Sequence, residues 1–104
     1  MSTLFDALKR KQFSEQQRIS TWTKCRAIQG YDPAVWRLDS CGAVIAWNGY
    51  GDTNSQHGWE IDHIHPVARG GSDHPNNLQA LQWQNNRAKG DSVMGFVPAV
   101  GAIL

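Results

Sequence analysis

Asp62-His63-Ile64-His65-Pro66, then Asn77-Leu78, then Asn86-Arg87-Ala88-Lys89-Gly90-Asp91 is the stretch that decides this sequence. Trp59-Glu60-Ile61-Asp62-His63-Ile64 reads as a strand halted by Pro66. A loop over 67–76 carries Gly70-Gly71, and Leu78-Gln79-Ala80-Leu81 reads as a short returning strand. A helix is expected from about Gln82 to Lys89, with Gly90 as its C-cap. The unit is therefore strand, loop, strand, helix.

Its side chains have a chemistry of their own. Asp62 is a hard oxygen donor, and Asn86 offers a second through its amide oxygen. Together they make a half-built site for Mg²⁺ or Mn²⁺, leaving water or phosphate oxygens to complete the shell. Beside Asp62 stands His63, the side-chain type whose ordinary pKa suits it to act as a base near neutral pH. Strand geometry sends Asp62 and His63 to opposite faces. Both can serve one phosphate only if the strand bends or ends there, which Pro66 allows.

Upstream, Ser14 and Gln17 read as a capping box opening a helix that carries Ile19 and Trp22. A further short helix is read over 2–11. Gly30 and Asp32-Pro33 turn the chain, and residues 35–39 and 43–47 read as two strands around Ser40-Cys41-Gly42. Residues 48–58 read as a loop. Residues 93–104 carry no charge and contain Pro98 and two Gly, so they are expected to pack on the domain or on a partner.

At 104 residues the chain is read as one domain, with 40% hydrophobic and 18% charged residues. No stretch approaches the roughly 18 to 20 apolar residues of a membrane span. The net charge of +1 hides an asymmetry: residues 1–40 hold seven bases against four acids, and residues 41–104 three against five. The N-terminus lacks the apolar run of a signal peptide, so a reduced, cytoplasmic protein is expected. With two cysteines and no CxxC, neither a disulfide framework nor a zinc ribbon is indicated.

The spaced motifs DHIxP, GG, NLQxL and NxxKGD resemble the HNH nuclease family, whose catalytic unit is the ββα-metal fold. GYDPxxWRxDxCGxxI, YG and GWEIDHI are similar to small stand-alone bacterial and phage members. The resemblance covers about residues 14–91, leaving an N-terminal arm (1–13) and the apolar tail (92–104). It implies an α+β fold: a ββα-metal core with an added β-hairpin and N-terminal helix. It also implies Asp62 and Asn86 as metal ligands, His63 as general base, and Asn77 as the residue that bonds across the loop to orient His63. Lys89 and Arg69, at less strictly defined positions, would contact DNA phosphates; among the loop histidines, His65 is the candidate for a secondary phosphate contact. The NL and NxxK registers select Asn77 and Asn86 over Asn76 and Asn85.

Many relatives read LCxxCN where this chain has Gln82 and Asn85, and those cysteines bind structural zinc. No structural zinc is expected here, and burial of Trp36, Trp59 and Trp83 would supply the stabilisation instead. Glu60 shares a strand face with Asp62 and is read as a partner for the basic front, an auxiliary metal role being the alternative. His57, His65 and His74 lie in or beside loops and are read as solvated, and Asp91 as pairing near the helix end.

The function implied is a DNA endonuclease using one divalent cation, Mg²⁺ or Mn²⁺, acting as a monomer and nicking one strand per event. The alternative is a DNA-binding or packaging-accessory module with a vestigial site. Competent residues at all four site positions speak against it.

Overall fold

The computed structural model describes residues 12–90. The helix expected over 2–11, Asp91 and the tail over 93–104 lie outside the described residues. The remaining elements follow the α+β order read from the sequence.

Helix α1 (Glu15–Thr23) opens on Ser14, whose hydroxyl accepts from the Gln17 N–H while the Gln17 side chain accepts from the Ser14 N–H. Two of the helix's orphan donors are thereby satisfied reciprocally. The helix buries Thr21 and Trp22 but leaves Ile19 exposed, so its apolar face is narrower than the Ile19/Trp22 spacing suggested. Strands β1 (Arg26–Ala27), β2 (Trp36–Leu38) and β3 (Val44–Ala46) form an antiparallel sheet in that order. β2 and β3 are the expected hairpin. The two-residue β1 is not marked by any apolar alternation, and both its residues are exposed.

A second sheet pairs β4 (Trp59–His63) with β5 (Leu78–Gln82), antiparallel, with Asp62 opposite Gln79 and His63 opposite Leu78. Helix α2 (Trp83–Lys89) follows β5 directly. Gln82 is not its first residue but its cap: the Gln82 side-chain oxygen accepts from the Gln84 and Asn85 N–H groups.

Trp22, Ile45, Trp59, Ile61, Leu78 and Ala80 form the core, drawn from α1 and both sheets. The Trp22 and Trp59 rings lie 5.4 Å apart and Tyr50 meets Trp59 edge-on at 4.9 Å. Trp36 and Trp83 are only half-buried, so the tryptophan core consists of Trp22 and Trp59 rather than the trio expected. What joins the β2–β3 hairpin to α2 is polar. Asp39, 2% exposed, accepts from the Cys41 and Ala43 N–H groups with one oxygen, and from the Gln82 N–H and the Asn85 amide with the other. Gln82 and Asn85, the two positions discussed for zinc, are fully buried in this joint.

No helix among the described residues is long and apolar enough to cross a membrane. Asp39→Ala removes the acceptor for four donors at once, and stranding buried donors costs about 1–3 kcal/mol each. It should lower unfolding stability by about 3 kcal/mol or more, measured by urea denaturation. A loss under about 1 kcal/mol would show that the joint relaxes without its carboxylate.

Candidate active site

The alternation of β4 divides its side chains between two environments. Trp59 and Ile61 enter the core, while Glu60 and Asp62 face α2. His63 ends the strand, on the core side, its ring 5.7 Å from that of Phe13. Asp62 and His63 thus keep the opposite orientations that strand geometry requires.

Asp62 is 9% exposed and fully engaged. The Gln79 amide donates to its Oδ2 at 2.9 Å from the facing strand position. The Lys89 ammonium lies 3.1 Å from the same oxygen and 3.4 Å from Oδ1, and it also donates to the His63 carbonyl. Lys89 was expected at the surface, on a DNA phosphate. It is instead 3% exposed and ion-paired inside the protein, because the last turn of α2 packs over Asp62.

Glu60 binds the same helix one turn earlier. It accepts from the Asn86 amide at 2.8 Å and from the Arg87 guanidinium at 2.9 Å. Both of these partners belong to α2. Asn86 spends its amide nitrogen on Glu60, and no described residue donates to its amide oxygen.

His63 donates from Nε2 to Asp73 Oδ1 at 2.7 Å, and its side chain is 12% exposed. A carboxylate only accepts, so the neutral ring carries its proton on Nε2 and leaves the Nδ1 lone pair open. Asp73 was not singled out in the sequence. It lies in the loop after Gly70-Gly71, where nothing in the local pattern distinguishes it from a solvated acid.

Asn77 bonds across that loop as expected, although it does not reach the His63 ring. Its amide oxygen accepts from the His65 N–H, and its amide nitrogen donates to the His65 and Ser72 carbonyls. Its main-chain carbonyl accepts from the Ile64 N–H at 2.8 Å. Asn77 thus fixes the chain on the far side of His63, and Asp73 holds the ring.

The other histidines serve the fold and are not merely solvated. His57 Nδ1 donates to the Val44 carbonyl, His65 Nε2 to the Arg69 carbonyl, and His74 Nδ1 accepts from the Asn76 N–H. Arg69 is exposed, and its guanidinium has no partner among the described residues. Burial raises both thiols, Cys25 and Cys41, to about 11, with nearby Asp39 adding to the rise, so neither is a thiolate at neutral pH. No cluster of three or more His, Cys, Asp or Glu that could hold a metal occurs among the described residues.

The glycine pair makes the loop possible in two different ways. Gly70 ends a short 3-10 turn at φ 92° in open space, whereas a Cβ on Gly71 would fall 1.7 Å from the His65 carbonyl oxygen.

A family model described as HNH endonuclease matches residues 40–92, which span β3, β4, β5 and α2. No curated protein and no solved structure matches the chain.

The two glycines should differ on substitution. Gly70→Ala should cost the roughly 1–2 kcal/mol of a left-handed alanine. Gly71→Ala must push aside backbone that Asn77 holds, and should cost clearly more in the same urea titration. Equal losses would mean that the loop yields easily.

Proposed function

The chain belongs to the HNH endonuclease family, and from that premise we propose a divalent-metal-dependent DNA endonuclease in which His63 is the general base. One observation carries the reading: His63 is held through Nε2 by Asp73 at 2.7 Å, one residue after a buried carboxylate. That arrangement orients the ring and leaves Nδ1 to accept a proton.

The donor set fits a hard cation. Asp62 offers a carboxylate and Asn86 an amide oxygen to which no described residue donates, both borne on elements packed against each other, with the Glu60 carboxylate beside Asn86. All are oxygen donors, which suit Mg²⁺ and Mn²⁺, and two protein ligands would leave room for water and phosphate oxygens. Asp62 and Asn86 would hold the ion. A divalent cation bound there supplies positive charge to the scissile phosphate and to the departing 3′ oxygen.

The rest is done by the chain. His63 Nδ1 takes a proton from water as the water oxygen attacks phosphorus in line with the leaving oxygen. Asp73 stabilises the imidazolium that forms. Asn77 keeps the loop closed, so that the ring and the end of β4 hold their relation. Arg69, with its charge exposed, suits a phosphate contact. The departing 3′ oxygen takes a proton from solvent water, so the products are a 5′-phosphate and a 3′-hydroxyl. One His63 and one Asp62–Asn86 pair break one bond per binding event, so a monomer nicks.

The test is supercoiled plasmid with Mg²⁺, Mn²⁺ or EDTA. Nicked circle should appear first and only with metal, and His63→Ala should slow it by about 10²- to 10⁴-fold without loss of DNA binding. Asp62→Ala should abolish Mn²⁺ binding in calorimetry. DNA binding with no metal-dependent cleavage would replace this reading with a non-catalytic module, and linear product at early times would overturn nicking.

A further inference from the structure

Lys89 is the one lysine among the described residues that is taken out of water. A lysine in the last turn of a surface helix ordinarily carries its ammonium out to solvent. This one runs inward, and an internal ammonium needs a counter-charge to be tolerated. It has one: Asp62, 3.1 Å away, with the His63 carbonyl as a second acceptor. Asp62 in turn has no other cation within reach among the described residues. Gln79 gives it a neutral hydrogen bond only.

The same carboxylate is the metal ligand of the function proposed above, and the inference rests on that reading. A divalent ion on Asp62 would sit within a few ångströms of an ammonium already bonded to both its oxygens. Three positive charges would then crowd one negative charge in a site with little water to screen them. Both cannot stay.

We propose that Lys89 is the resident cation of the metal site: it neutralises Asp62 in the metal-free protein, and the divalent ion must expel it to bind. Two consequences follow from the geometry. The metal-free site is kept closed, because Lys89 ties α2 to β4 through Asp62 and to the end of β4 through the His63 carbonyl. Metal affinity is also set lower than its oxygen ligands alone would give, since every binding event breaks the Lys89–Asp62 pair.

The measurement is Mn²⁺ titration by calorimetry of the whole chain, comparing wild type with Lys89→Met, Lys89→Arg and Asp62→Asn. Methionine keeps the helix propensity and much of the apolar stem. Lys89→Met should bind Mn²⁺ about tenfold more tightly, the equivalent of one relieved charge–charge contact, and Lys89→Arg should stay near wild type. A lysine with a merely structural role would move affinity the other way, because a loosened α2 would misplace Asn86. Unchanged or weaker binding in Lys89→Met therefore overturns the proposal.

A second measurement needs no variant. Amine-reactive labelling read by mass spectrometry should find Lys89 protected without metal and several-fold more reactive once Mn²⁺ saturates the site. Constant protection would show that the ammonium never leaves. Asp62→Asn separates the two layers of argument: if it binds Mn²⁺ as wild type does, the ligand assignment fails, whatever Lys89 does.

Discussion

Four donors converge on the carboxylate of Asp39, and the placement of everything downstream of β5 depends on them. A carboxylate this deeply buried is shut off from water, so protein donors must take water's place. Here two main-chain N–H groups of the β2–β3 turn, one from Gln82 and one side-chain amide from Asn85 do so. The bonds tie the turn to the start of α2. Gln82 then caps that helix with its own side chain and reaches back to the Gln56 carbonyl. Asn86 and Lys89 lie within the next two turns, so the position of the site is inherited from this joint.

The hydrophobic core works on the other side of β4. Trp59 and Ile61 anchor the strand against Trp22 and Leu78, which leaves Glu60 and Asp62 no direction but toward α2. A one-residue slip in the β4–β5 register would bury Glu60 and Asp62 in the core and expose the tryptophan. The register is therefore enforced by the core, and the carboxylates gain their positions from it.

This explains what could be read from the sequence and what could not. The strand that carries Trp59 and Ile61 and is halted before Pro66, the capping box at Ser14, the β2–β3 hairpin and the shared face of Glu60 and Asp62 are local patterns, and they are legible in the sequence. The pairs that complete the site are not local. Asp73 reaches His63 across ten residues of loop, and Lys89 reaches Asp62 across a hairpin and a helix. A charged residue carries no periodic mark to say whether it turns to water or inward. The resemblance puts Lys89 on a DNA phosphate, and only the packing of α2 over a buried carboxylate turns it inward. Tryptophan has the same ambiguity. Trp36 and Trp83 are large and apolar, yet their places at the first residue of the three-residue β2 and in the first turn of α2 leave them half in solvent.

The spacing of the site residues has a physical origin in the mismatch of two periods. Residues two apart on a strand share a face about 6.6–6.8 Å apart. Residues three apart on a helix share a face and rise about 4.5 Å. α2 runs in the direction of β4, with Asn86 on Glu60 and Lys89 on Asp62. The helix thus falls about 2 Å short over one pair. A short amide suits the near position and a long, flexible lysine the far one, which is the order found. The E-x-D of β4 and the N-x-x-K of α2 are therefore one interlocking unit and not two motifs that happen to meet. Exchanging Asn86 and Lys89 would preserve composition and charge, yet it would put a long ammonium where there is room for an amide. It would also leave Asp62 facing an amide too short to span the gap.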